Sequence, residues 1–148
     1  MPISNYPFRK DQISRTSSPL VPVILTNPKN GFEFPTWGLI DTGADRTIVP
    51  GYIAKEVYHN LKGTEVECDF GSGIGGDVRF YMHTFTMQLL SYDKSNSVTT
   101  NPVIEIKKHQ FAVCENINTL ILGVDDFLKD YKLIIDYPKQ VFSIKKPS

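Results

Sequence analysis

From Leu20 onward the chain alternates short runs rich in branched aliphatic and aromatic residues with turn chemistry, and the turns recur at short intervals. Such punctuation leaves little room for long helices and directs most of the chain into hairpins. Residues 20–26 carry Val, Ile and Leu, Asn27-Pro28-Lys29-Asn30-Gly31 supplies a turn, and residues 32–40 return, which predicts the first hairpin. Pro22 has no amide to donate, so its strand is expected at an edge or only partly paired.

Residues 50–61 place Ile53, Val57 and Leu61 four apart and stop at Gly63, the spacing of a short helix. Residues 64–70 and 78–90 read as strands flanking Gly71-Ser72-Gly73-Ile74-Gly75-Gly76. In the second arm the apolar set changes phase, from Val78, Phe80 and Met82 to Phe85, Met87 and Leu89, predicting a bulge or a change of buried face near His83. Residues 91–101 read as a polar loop, 103–106 and 110–113 as short strands, and 119–122 as an apolar run ending at Gly123. Asp125 or Asp126 is expected to cap a helix of one to two turns reaching Tyr131. A closing hairpin comes last, 132–136 and 141–145, around Tyr137-Pro138-Lys139.

Residues 1–18 are polar, with Ser14, Thr16, Ser17 and Ser18 crowded together, and are expected to form a poorly ordered arm. That leaves 19–148 as one domain, and a chain of 148 residues has length for one core but not for two. Sixteen Lys and Arg balance sixteen Asp and Glu, so no global field gathers nucleic acid or an anionic membrane. No run approaches the roughly 18 apolar residues of a membrane span, and the first residues carry charges where a signal peptide would be apolar. A soluble, cytoplasmic protein is expected. Cys68 and Cys114 match no metal or redox spacing and His59, His83 and His109 stand isolated, so no metal or cofactor is expected, and both thiols are expected free and buried.

Three features carry chemistry together. An apolar strand runs into an acid-hydroxyl-glycine turn (Trp37-Gly38-Leu39-Ile40-Asp41-Thr42-Gly43-Ala44-Asp45), a glycine-rich hairpin tip comes some thirty residues later, and Leu120-Ile121-Leu122-Gly123 precedes a helical turn. In this order they resemble the retropepsin family, the aspartic proteases of retroviruses and their cellular and bacterial relatives, over about residues 20–144. The resemblance implies a mostly β, closed-barrel domain with one lobe per chain, working as a two-fold homodimer on a peptide or protein substrate. It implies catalytic roles for Asp41, Thr42 and Gly43, and substrate contact by Ala44 and Asp45. It further implies a flap built on Gly73, Ile74, Gly75 and Gly76, and packing support of the site from Ile121, Leu122 and Gly123. Ser72 stands where viral flaps often have another glycine. The stretches on either side of the flap are longer than in the compact viral enzymes, so dimer contacts are not carried over and are expected in the C-terminal hairpin.

The residues also make chemical sense by themselves. Hydrolysing a peptide bond without a metal or a covalent nucleophile needs one carboxylate to make water basic and one carboxylic acid to protonate the departing groups. Two carboxyls within hydrogen-bonding distance share a proton and titrate as a pair. One Asp-Thr-Gly in a chain without room for a second lobe supplies half of such a pair, and a two-fold axis supplies the other. Gly43 lets an amide approach the carboxylate, and in the family the Thr42 hydroxyl donates across the axis. Ala44 offers no hydroxyl to lower the carboxyl pKa, so an optimum at mildly acidic to near-neutral pH is expected.

Other readings compete. Gly71–Gly76 satisfies G-x-G-x-x-G, but strand-like residues come next where a dinucleotide site needs a helix. Asp-Thr-Gly alone is a common strand-end turn. A non-catalytic dimerisation or peptide-binding module of the same fold, with a vestigial aspartate, is the main alternative, and an unrelated β-barrel binding protein is a third.

Overall fold

In the computed structural model, residues 3–10, 16–73, 76–92 and 97–147 are described. Their β-strands are β1 (Ile3–Pro7), β2 (Arg9–Lys10), β3 (Ser17–Ser18), β4 (Leu20–Thr26), β5 (Glu33–Ile40), β6 (Ile48–Pro50), β7 (Cys68–Gly73), β8 (Gly76–Tyr92), β9 (Val98–Cys114), β10 (Leu120–Leu122), β11 (Lys132–Asp136) and β12 (Val141–Lys145). One helix, α1 (Gly51–Glu56), and a 3-10 turn (Leu128–Asp130) complete the described elements. The fold is mostly β, as expected.

Among the described residues six strands close a barrel in the order β4-β5-β10-β6-β9-β8, with β8 pairing back onto β4 and β7 added outside β8. Its interior is packed by Val23, Leu25, Phe85, Met87, Leu89, Phe111, Val113, Leu120 and Leu122, all buried. Alternation explains the choice: His83, Phe85, Met87 and Leu89 of β8 share one face, and that face is the interior. β4 pairs with β8 only from Val23 to Thr26, just past Pro22, so the strand is partly paired where its amide is missing.

Several expectations are corrected. Of the loop expected over 91–101, residues 91–92 end β8 and 98–101 begin β9, while 93–96 lie outside the described residues; the two short strands expected over 103–106 and 110–113 are one long strand, β9, paired antiparallel with β8. Of the two alternatives near His83 the change of buried face is seen, from half-buried Val78, Phe80 and Met82 to buried His83, Phe85 and Met87, whereas the bulge sits further on and in the partner strand. Phe85 faces His109 and Met87 faces Ile106, so two steps on β8 match three on β9, and Lys108 takes a left-handed φ of 45°. The helix expected over 50–61 stops at Glu56, because Tyr58 turns left-handed (φ 64°) and the Val57 carbonyl accepts from Asn27 Nδ2 (2.8 Å) and Asn30 Nδ2 (3.0 Å) of the β4–β5 turn. Cys114 is buried, whereas Cys68 is exposed on β7.

The largest difference lies before Leu20. Residues expected as a loose arm contribute β1, which pairs antiparallel with β12, and β12 pairs with β11. Ile3 and Tyr6 are buried, Tyr6 packs edge-on to Tyr92 at 4.8 Å, and the Tyr92 hydroxyl donates to the Pro7 carbonyl. Burying each such apolar side chain stabilises by about 1.5–3 kcal/mol, which together with the ladder to β12 offsets the entropy of ordering a short strand. The closing hairpin forms as expected. Among the described residues no helix is long and apolar enough to cross a membrane.

The segment between α1 and β7 is held by two histidines. Their ring centroids lie 4.7 Å apart, and each Nε2 donates to a backbone carbonyl at 3.0 Å, His59 to Thr84 and His83 to Leu61. Burial, and for His59 also the neighbouring His83, pushes both imidazoles below their ordinary pKa, His59 to about 4. The unfolded chain, titrating near 6.5, then binds the extra protons. This contribution to stability is complete above about pH 6.5 and is lost as pH falls toward 4. The urea midpoint is expected to fall through that window, and His83→Gln to flatten the slope; an unchanged slope in the variant would refute the assignment.

Candidate functional site

β5 and β10 run parallel, with Gly38, Leu39 and Ile40 opposite Leu120, Ile121 and Leu122. Parallel neighbours end at the same edge, so the segments beyond them emerge side by side. Asp41 opens the first segment and Gly123 the second. The Asp41 amide donates to the Leu122 carbonyl (3.1 Å), the Val124 amide to Ala44 (3.0 Å) and the Asp125 amide to Asp45 (2.7 Å). Thus Asp41 to Asp45 and Ile121 to Gly123, separate in the sequence, form one structure.

Within the first segment the chain turns on itself. The Ala44 amide donates to the Asp41 carbonyl (3.2 Å), and the Gly43 amide donates to Asp41 Oδ1 at 2.9 Å. An amide given to one carboxylate oxygen fixes the rotamer and leaves the other oxygen free for a proton or a water. A Cβ at position 43 would lie 3.3 Å from that same Oδ1, so a side chain there would crowd the carboxylate. Asp41 and Ala44 are half-buried, while Thr42, Gly43 and Asp45 are exposed.

Gly123 is required for a different reason. A Cβ there would come within 2.3 Å of both the carbonyl carbon and oxygen of Arg46, an overlap with backbone that no rotamer relieves. Beside this contact, the Gly123 amide donates to Thr47 Oγ1 (3.1 Å), and the Thr47 amide donates to Asp126 Oδ1 (2.9 Å). Thr47 is fully buried. Sequence reasoning missed Thr47 and gave Asp125 or Asp126 the task of capping a helix. The chain beyond Gly123 instead forms only a 3-10 turn, and its cap, Phe127, makes no side-chain cap bond.

The glycine-rich segment forms the far end of the β7–β8 hairpin, paired from Cys68 with Tyr81 to Gly73 with Gly76. Ile74 and Gly75 of the expected flap lie outside the described residues. Toward its base the hairpin reaches the Asp41 segment: Arg46 Nη2 donates to Asp69 Oδ2 at 3.1 Å, and the Arg46 guanidinium lies 5.4 Å from the Phe80 ring centroid. The Phe70 amide and Arg46 hold the Asp69 carboxyl below the usual carboxylate range. Gly71 is packed beneath Phe80, where a Cβ would lie 2.5 Å from the ring. Between this base and the loop runs a depression lined by residues including Arg46, Asp69, Met82, His109 and Asp126, and Asp41 is not part of its lining. Phe85, which stands on the flap arm in the sequence, is core.

Among the described residues no group of three or more His, Cys, Asp or Glu is placed to hold a metal ion. No protein-family model matches this chain, and no curated protein matches it.

Proposed function

We propose that this chain is an aspartic endopeptidase of the retropepsin-like kind, acting as a two-fold homodimer. The observation that carries this reading is the half-buried Asp41 carboxylate, held by the Gly43 amide at 2.9 Å in a turn that opens where the parallel β5–β10 pair ends. Two hydrogen bonds close the turn, and its Thr42 and Gly43 stand exposed, as a surface meeting its own copy must.

In the dimer two Asp41 carboxyls lie across the axis and hold one proton between them. The ionised one takes a proton from a water, which attacks the scissile carbonyl. The protonated one donates to the carbonyl oxygen and, as the tetrahedral species collapses, a proton passes to the leaving nitrogen. The Thr42 hydroxyls donate across the axis and keep the two turns in register. The β7–β8 hairpin covers an extended substrate with apolar residues about the scissile bond, and its closure excludes water. Ala44 leaves the carboxylate without a hydroxyl donor, consistent with a mildly acidic to near-neutral optimum.

The test pairs sedimentation with proteolysis. Under conditions where the protein sediments as a dimer, a mixture of unfolded protein substrates is incubated at pH 4 to 7 and the fragments are identified by mass spectrometry. Cleavage blocked by a pepstatin- or retroviral-type inhibitor is expected. A dimer that cleaves nothing leaves the non-catalytic module of the same fold, and a protein monomeric throughout removes the shared site.

A further inference from the structure

We infer that Asp126 is a positioning residue for Asp41, an inference that rests on the proposed peptidase reading. The segment from Asp41 to Thr47 joins β5 to β6 and has to be held at both ends. At its start and along its length the backbone does this, through the Asp41 amide on the Leu122 carbonyl and the Val124 and Asp125 amides on the Ala44 and Asp45 carbonyls. At Thr47 side chains take over: Gly123 N–H to Thr47 Oγ1, and Thr47 N–H to Asp126 Oδ1. These two bonds flank the place where a Cβ on Gly123 would overlap the Arg46 carbonyl. Asp126 and Thr47 are 79 positions apart, so the bond ties two loops and not neighbours in the chain.

The chemistry suits a brace. Thr47 is fully buried, and its amide would be left unpaired without the carboxylate. Asp126 bonds to the loop that carries the acid at Thr47, whereas the Asp41 carboxylate takes its hydrogen bond from the Gly43 amide. Loss of the bond would let the end of the loop drift, and misplacing a reacting group by about 1 Å costs on the order of a hundredfold in rate.

The experiment compares wild type with Asp126→Ala, Asp126→Asn and Thr47→Ser, each as dimer, with rates counted per folded site by inhibitor titration. In Asp126→Ala, kcat is expected to fall about ten- to a hundredfold, with KM nearly constant and faster hydrogen exchange at the Thr47 amide. Asp126→Asn keeps an oxygen in place and is expected to recover most of kcat, and Thr47→Ser to behave as wild type. If wild type cleaves and Asp126→Ala matches it per folded site, the positioning role is overturned and the peptidase reading stands. Equal impairment of the Ala and Asn variants also overturns it, because the oxygen acceptor would then be irrelevant. If the wild-type dimer cleaves nothing, the peptidase reading fails first and takes this role with it.

Discussion

Asp41→Asn is expected to fold and dimerise like the wild type and to cleave at least about a thousandfold more slowly, since general acid-base catalysis by one positioned group contributes roughly 10²–10⁴-fold. An asparagine retains a side-chain oxygen to accept the Gly43 amide, now at 2.9 Å from Asp41 Oδ1, so the turn keeps its shape. What it loses is the capacity to exchange a proton with water. Because the proposed pair is shared, each site of a homodimeric variant loses both members at once. Sedimentation, thermal unfolding and cleavage of one peptide across pH 4 to 7 check the prediction together. Cleavage surviving in Asp41→Asn would assign the activity to another group. The acid limb of the wild-type profile should also carry the destabilisation caused by protonating His59 and His83, which separates from catalysis by its appearance in the unfolding midpoint of Asp41→Asn as well.

Gly123→Ala is expected to cost roughly 3 kcal/mol, at the upper end for overpacking by one methyl. The added carbon would sit 2.3 Å from the Arg46 carbonyl, so one of the two strand-end segments must retreat. Retreat also lengthens the Gly123–Thr47 and Val124–Ala44 hydrogen bonds, each worth about 1 kcal/mol. Restricting the unfolded chain returns a few tenths to one kcal/mol and does not change the sign. Urea unfolding measures the loss. The fraction that remains folded should cleave poorly, because either retreat loosens the hydrogen bonds that hold the segment beginning at Asp41. By contrast Gly31, whose φ is above zero (78°), meets nothing within 4 Å, and Gly31→Ala incurs only backbone strain.

The hairpins and the Asp41 turn were legible because their signals are local. Asn27-Pro28-Lys29-Asn30-Gly31 and Tyr137-Pro138-Lys139 punctuate strands whatever the rest of the chain does, and an acid with glycine two positions on suffices to form the Asp41–Gly43 bond. β9 was not legible as one strand. Its Lys107 and Lys108 are exposed and its bulge breaks the period of two, so the segment has the composition of a loop. β1 hid for a related reason: Ile3 and Tyr6 are three apart, and only an irregular register at Asn5 (φ 52°) brings both to the same buried side. The Thr47–Asp126 bond is illegible in principle, since nothing near either residue encodes a partner 79 positions away.

The sheet that joins β1 to β12 has a consequence for the order of folding. Ile3 opposes Ile144, among the most distant contacts the chain can make, whereas the six barrel strands lie between Leu20 and Leu122. Contacts of long sequence separation carry the larger closure entropy and tend to form late. During synthesis the ring that bears Asp41 therefore has all its strands before β12 has emerged, while Ile3 and Tyr6 wait exposed for their partner. A nascent chain would thus hold a closed barrel with a nearly built site while its β1–β12–β11 sheet is still missing, and that sheet would form only as β12 appears.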